Sequence, residues 1–312
     1  MSAREHDASA TDAMSTGAAT APEKKAPAGA AATGGGSAVG KPIRAGLESL
    51  ASAGDYMVFA GRTIAGIPRA IKHHPKDIFR QVIDISFGTA SVASGGGTLT
   101  IVAAMSVIAA MMVGVESYRG LDLIGLSSLS GVLSGVVNTR ELAPVIAGIA
   151  IAAKVGTGFT ARLGSMRISD EIDALESMGI PPIPYLASTR TVAALICVVP
   201  LYLIGLLCSY VTTRLVVVWF NNGSAGTYDH YFQLTVTVGD VFYSLLKVII
   251  FALLVVMIHC AYGYFASGGP EGVGRAAGRA LRTTILAIGF ADLILTFTFW
   301  GLIPRVPGLG LT

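Results

Sequence analysis

Four ionisable side chains stand inside otherwise apolar tracts: the neighbours Arg140 and Glu141, then Lys247, then Asp292. At the centre of a bilayer each costs roughly 2.5 to 3.5 kcal/mol when unpaired. Their formal charges cancel, so pairing within one bundle is the expected arrangement. Such a set supports three roles: lining a path for a polar group, relaying protons through Asp292 and Glu141, or structural pairing with snorkelling to an interface.

A second constellation runs Ser169-Asp170-Glu171-Ile172-Asp173-Ala174-Leu175-Glu176-Ser177-Met178-Gly179-Ile180-Pro181-Pro182. Ser169 or Asp170 suits an N-cap, acids in the first turn suit the helix dipole, and Gly179 with the two prolines stops the helix. Ile172, Leu175 and Met178 give this short helix an apolar stripe. Asp170, Glu171, Asp173 and Glu176 give it a negative surface. That combination fits insertion into a groove on a soluble partner; a solvated loop helix is the alternative.

Other motifs lack the context their chemistry needs. Gly35-Gly-Ser-Ala-Val-Gly40-Lys41-Pro42 matches a nucleotide-binding P-loop except that Pro42 replaces the hydroxyl for Mg²⁺, and no strand precedes it. Gly272-x-Gly274-x-x-Ala277 follows an apolar helix instead of a strand, so it is not a dinucleotide fingerprint. Neither HExxH nor GxSxG occurs, and the His73-His74 pair has no third ligand nearby. The sequence offers no catalytic, cofactor or metal site.

The elements that position these residues follow from composition. Of 312 residues, 53% are hydrophobic and 13% charged, with a mean hydropathy of +0.66. A soluble domain carries about twice that charged share, so a soluble enzyme is excluded. A net charge of +3 with no basic block interleaved with aromatics excludes nucleic acid as a partner. Cys197, Cys208 and Cys260 lie in apolar tracts and read as core packing. On one helix, Cys197 and Cys208 stand about 16 Å apart along the axis, beyond disulfide reach.

The fold class is an all-α integral membrane protein with five transmembrane helices. Residues 85–115 carry no charge, which places the first span at 90–115. The others fall at 139–161 after a lead-in helix, 191–213, 241–265 and 283–303. Residues 1–45, rich in Ala, Gly and Pro, read as a disordered tail with no signal-peptide core. In the segment 46–84, Leu50, Met57, Ile64 and Ile71 face away from Glu48, Asp55, Arg62 and Arg69. Gly54, Gly61 and Pro68 break this amphipathic pattern, which reads as an interfacial helix at the membrane surface or a short helix packed on a partner. Lys72, His73, His74, Lys76 and Arg80 follow as a basic, headgroup-facing stretch.

Basic flanks set the orientation. Arg69, Lys72, Lys76 and Arg80 precede the first span; Arg162, Arg167 and Arg190 separate the second and third; Arg275, Arg279 and Arg282 separate the fourth and fifth. The positive-inside rule makes these segments cytoplasmic, leaving 215–239 and the 306–312 tail outside. The predicted location is a multi-pass protein of the cell inner membrane with a cytoplasmic N-terminus and an external C-terminus. Ser127, Gly131 and Gly135, four residues apart, suit close helix packing.

With these segments in place, a family resemblance emerges. Arg140-Glu141-Leu142-Ala143-Pro144-Val145, Leu163-Gly164-Ser165-Met166-Arg167, Glu171-Ile172-Asp173-Ala174-Leu175 with Met178-Gly179, and Gly268-Gly-Pro-Glu-Gly-Val-Gly274-Arg275 resemble the MlaE/YrbE lipid permeases over residues 78–300. Tyr228-Asp-His-Tyr-Phe232 and His259-Cys-Ala-Tyr-Gly-Tyr264 further resemble the B-type YrbE subunit of actinobacterial Mce systems. The resemblance implies that 85–305 is a permease domain of an ABC-type lipid transporter, without catalysis or cofactor of its own. It further implies a paralogous permease partner forming a heterodimer, a cytosolic ATPase carrying ATP and Mg, and external MCE-domain proteins. Coupling to the ATPase then falls to Glu171, Ile172, Asp173, Leu175, Glu176, Met178 and Gly179, and the lipid path to Arg140, Glu141, Lys247 and Asp292. A proton-coupled secondary transporter using Asp292 and Glu141 is the competing class, although no inverted repeat supports it; a purely structural membrane anchor is a third. Ala143 replaces the family's usual Gly, and Arg162 stands where an acid is common.

Overall fold

The computed structural model describes residues 40–86 and 97–301, with side chains of the first helix from Gly54 onward. The chain divides into Met1–Glu48 and Ser49–Thr312, and the second unit holds the helical bundle. Among the described residues all regular structure is helical: α1 (Gly40–His73), α2 (Pro75–Ser86), α3 (Thr98–Asp122), α4 (Ser127–Ile168), α5 (Glu171–Ser177), α6 (Pro184–Phe220), α7 (Ala225–Thr235), α8 (Val238–Tyr264) and α9 (Gly269–Trp300). Five of these, α3, α4, α6, α8 and α9, are long and apolar enough to cross a membrane. The protein is therefore an all-α integral membrane protein.

The helices differ from expectation at several points. Residues 1–39, 87–96 and 302–312 lie outside the described residues, and with them most of the tail, the start of the first predicted span and the 306–312 segment. Residues 40–45 open α1 instead of ending a tail. The break expected at Gly54, Gly61 and Pro68 does not occur, because tertiary packing overrides helix propensity there. Phe59, Thr63, Gly66 and Ala70 bury one face of α1, while Met57, Ile64 and Ile71 remain exposed. The Phe59 ring lies 5.5 Å from Tyr264, Tyr56 stacks on Tyr262 at 5.4 Å, and the Ser188 hydroxyl donates to the Thr63 carbonyl at 2.7 Å. A Cβ at Gly66 would stand 2.4 Å from Ser188 Oγ, so only glycine permits this crossing. The spans α6, α8 and α9 begin before the predicted windows and α6 also ends beyond its own, because the helices continue through flanking residues such as Arg190, Arg214 and Arg275; α8 and α9 end at Tyr264 and Trp300, short of 265 and 303.

The largest difference is α4. A lead-in helix and a separate span at 139–161 are expected; the structure has one uninterrupted run of 42 residues. Pro144 supplies the reason this run is not a plain α-helix. It has no N–H for the carbonyl of Arg140 and would normally kink or break the helix. Here a π-helical turn at Asn138–Leu142 absorbs the misfit, with the Ala143 N–H reaching back to the Asn138 carbonyl. The carbonyls freed on this turn find donors on α8: Ser244 Oγ donates to Thr139 O at 2.5 Å, and Lys247 Nζ to Arg140 O at 2.9 Å. A second π turn at Ala152–Gly156 lies against α8 as well, where a Cβ on Gly156 would stand 2.5 Å from the His259 ring. Thr160 Oγ1 lies 2.8 Å from His259 Nδ1 and donates to the His259 carbonyl at 2.9 Å.

At the other end of α4 the glycine spacing has a visible purpose. A Cβ on Gly131 would meet the Tyr228 carbonyl at 2.4 Å and one on Gly135 would meet Val236 Cγ2 at 3.0 Å, so α7 lies directly on α4. Asp229 on α7 is held by Arg214 at the end of α6 through two contacts of 2.8 Å. Those hydrogen bonds hold the Asp229 carboxyl below the usual carboxylate range. Burial pushes the Tyr228 phenol up to about 12.

Candidate functional site

Helices α4, α8 and α9 bring together three of the four predicted intramembrane charges. Lys247 is fully buried on α8, and its ammonium lies 2.7 Å from Asp292 Oδ1 and 3.1 Å from Glu141 Oε2. It also donates to Thr296 Oγ1 at 2.7 Å, and Thr296 in turn donates to Glu141 Oε1 at 2.8 Å. With the Arg140 carbonyl included, the ammonium has four oxygen neighbours, more than its three N–H donors. The two carboxylates are less enclosed: the Glu141 side chain is 39% exposed and that of Asp292 20%. The cluster therefore opens on the outer face of the bundle through its acids.

Arg140 is not part of this group, which corrects the expectation that the four charges pair among themselves. Its guanidinium turns to Asp240, with Nε and Nη2 each 3.1 Å from Oδ1. Trp300 Nε1 donates to the same oxygen at 2.6 Å, and Arg140 lies 5.3 Å from the Trp300 ring centre. Asp240 is itself fixed by the start of α8, where Thr237 Oγ1 accepts from the Asp240 N–H at 3.2 Å and donates to Oδ2 at 2.6 Å. The sequence signal for Asp240 is the Thr237-x-x-Asp240 spacing, a capping box in which the acid sits at the third helical position. Counting Asp240, the five charges sum to one net negative, because Lys247 faces two carboxylates.

The short helix α5 ends as its sequence requires. Gly179 adopts φ +76°, its N–H reaching Glu176 O at 2.9 Å, and the Ile180 N–H reaches Leu175 O at 3.1 Å. This paired closure is a Schellman motif. At the other end neither expected cap forms: Asp170 sits at φ 58° with no side-chain hydrogen bond to the helix. Ser169 Oγ instead donates back to Ser165 O at 3.0 Å. The expected docking stripe is also divided. Ile172 is buried in the chain's own core and Leu175 packs against it, whereas Met178 is 64% exposed. Glu171, Asp173 and Glu176 remain exposed, with Asp173 paired to Arg167 at 2.5 Å. Arg162 forms an ion pair with Asp84 on α2.

The fold is a multi-pass bundle with charges gathered between three spans, and comparison with known proteins gives it a family. A family model described as permease MlaE matches residues 87–298. The chain belongs to this family. It is 28% identical over 252 residues to a probable ABC transporter permease protein of Rickettsia felis, covering 80% of this chain and 92% of that protein. A probable ABC transporter permease protein of Synechocystis is 31% identical over 181 residues, covering 55% of this chain and 65% of its own. The chloroplastic protein trigalactosyldiacylglycerol 1 of Arabidopsis thaliana is 27% identical over 219 residues, covering 66% and 59%. The protein is thus a membrane permease of the MlaE family, similar to proteins named as ABC transporter permeases.

Proposed function

We propose that this permease moves lipid, that α5 docks a separate cytosolic ATPase, and that the Glu141–Lys247–Asp292 cluster with Arg140 borders the lipid path. The observation that carries this reading is the continuity of α4. The same run that holds Arg140 and Glu141 ends at Ile168, three residues before α5 begins at Glu171. A push on α5 reaches the charged cluster along one continuous helical run, across only the Ser169–Asp170 link. The lipid class is supported by the relative named for trigalactosyldiacylglycerol. The sequence resemblance supports the finer assignment: a B-type YrbE subunit of a Mce system in the inner membrane, paired with a paralogous permease and served by external MCE-domain proteins. In this reading α1 and α2 lie on the cytoplasmic membrane surface, the N-terminus is cytoplasmic and the C-terminus external.

A proton-coupled carrier is the second reading, favoured by the two carboxylates that share one ammonium. Reconstituted lipid transfer decides between them. Transfer that requires the co-purified ATPase and ATP supports the ABC reading. Transfer that follows an imposed proton gradient without ATP refutes it.

A further inference from the structure

At one end of the bundle, α2, the first turns of α6 and Met166 of α4 enclose a cavity of about 200 Å³. Its polar wall consists of Asp77, Arg80, Gln81, Tyr185, Thr189 and Arg190. None of these belongs to the charged cluster or to α5. The notable member is Arg190, only 8% exposed. A buried guanidinium is ordinarily matched by a carboxylate. Among the described residues Arg190 forms no ion pair: Asp84 is taken by Arg162, and Asp77 stands 3.6 Å from His74 Nδ1 instead. Of its five N–H donors, one reaches the Leu186 carbonyl at 2.7 Å through Nη1, and the guanidinium lies 5.8 Å from the Phe159 ring centre. The remaining donors have no hydrogen-bonding acceptor among the described residues.

Three further features define the chemistry. Arg80, on the same cavity wall, is exposed and adds a second guanidinium. Gln81 Nε2 donates to Thr189 Oγ1 at 3.3 Å while its Oε1 is buried without a partner, an acceptor free to take a hydroxyl or ammonium proton. On the outward face of α2, away from Asp77 and Gln81, stand Phe79, 67% exposed, and Ile83, 48% exposed.

We propose that this cavity binds the phosphate group of a phospholipid headgroup. Arg190 and Arg80 hold the phosphate, Gln81 Oε1 accepts from the headgroup substituent, and the acyl chains leave the cavity past Arg80 toward the apolar outer face of α2. Arginine is the side chain suited to this task because its planar fork makes paired hydrogen bonds to phosphate oxygens. Asp77 also lines the cavity and repels an anion; the two guanidinium charges of Arg80 and Arg190 offset this. The volume, equal to about seven water molecules at ~30 Å³ each, admits a headgroup but not a whole lipid.

The test uses the full chain with any co-purifying subunits, reconstituted in nanodiscs of phosphatidylethanolamine and phosphatidylglycerol and released for native mass spectrometry. Wild type is expected to retain one more phospholipid per chain than either Arg80→Gln or Arg190→Lys, with retention at that site lowered about tenfold. Arg190→Lys keeps the charge and loses the fork, and Arg80 is exposed, so neither change is expected to prevent folding. Dioleoylglycerol, which lacks phosphate, is not retained there. Displacement of the lipid by millimolar inorganic phosphate identifies a free-phosphate site and overturns the lipid assignment, whereas resistance supports it. Equal phospholipid retention by wild type and both variants, or equal retention of dioleoylglycerol, overturns the site altogether.

Discussion

Replacing Lys247 with methionine should damage this protein more than replacing either of its acidic partners. The ammonium is fully buried and meets Asp292 at 2.7 Å, Glu141 at 3.1 Å, Thr296 at 2.7 Å and the Arg140 carbonyl at 2.9 Å. Removing it leaves two carboxylates without a cation and a carbonyl that Pro144 has already deprived of its helical donor. Breaking a buried pair from one side costs about 3 to 5 kcal/mol. Asp292→Ala, by contrast, leaves Lys247 paired with Glu141, so the loss is that of one charge-assisted contact, about 1.5 to 3 kcal/mol. The combination Glu141→Gln, Lys247→Met and Asp292→Asn removes every formal charge of the cluster and should recover part of the stability lost by Lys247→Met alone. The assay is thermal unfolding of the purified complex followed by intrinsic fluorescence, with reconstituted lipid transfer measured on the same samples. If the cluster is only structural, the triple variant regains transfer along with stability. If it borders the lipid path, stability returns and transfer does not. A Lys247→Met variant as stable as wild type would refute the pairing argument.

Further expectations concern other elements. Met178→Asp should weaken co-purification of the ATPase without lowering the melting temperature, since Met178 is 64% exposed; Ile172→Asp should lower the melting temperature itself by burying a charge. Gly179→Ala, forced into φ +76°, should destabilise α5 by about 1 kcal/mol, read as faster hydrogen exchange at Met178 to Ile180. Gly131→Ala places a methyl 2.4 Å from the Tyr228 carbonyl, so a loss of about 1 to 3 kcal/mol is expected, visible as lowered thermal stability and increased protease cleavage in α7. The Asp229 carboxyl is depressed by Arg214, so its contribution is full above the unfolded value of about 3.9 and is lost as pH falls through the folded value. Hydrogen exchange of α7 should rise over that acid range in wild type and show no such step in Asp229→Asn.

The sequence made the spans readable because a long uncharged run has few alternatives to a membrane helix. The end of α5 was readable too, since Gly179 followed by two prolines can only stop a helix. Less visible were features set by a residue far along the chain. Arg140 pairs with Asp240, 100 positions away, although Asp292, inside an apolar tract, was the more conspicuous acid. The clue at Asp240 was a capping pattern, which speaks of helix starts and not of ion pairs. Similarly, Pro144 signals a break in α4 only if no other helix supplies donors; Ser244 and Lys247 supply them, and the run continues. The face of α1 that packs on the bundle was hidden because Phe59, Thr63, Gly66 and Ala70 mix apolar with small and polar residues, while the conspicuous stripe of Met57, Ile64 and Ile71 stays outside.

The contact between Lys247 and the carbonyl of Arg140 has a consequence for biogenesis. During synthesis α4 reaches the bilayer before α8 and α9, carrying Arg140, Glu141 and an unsatisfied carbonyl. Lys247 follows 107 positions later and Thr296 another 49 beyond it. Each helix is a poor solitary occupant of lipid, at roughly 2.5 to 3.5 kcal/mol per charge. Once together, each supplies what its neighbour lacks. Insertion of this chain should therefore be convergent, with α4 satisfied only once α8 and α9 arrive, and a chain truncated before α8 is expected to be cleared by quality control instead of accumulating as a partial bundle.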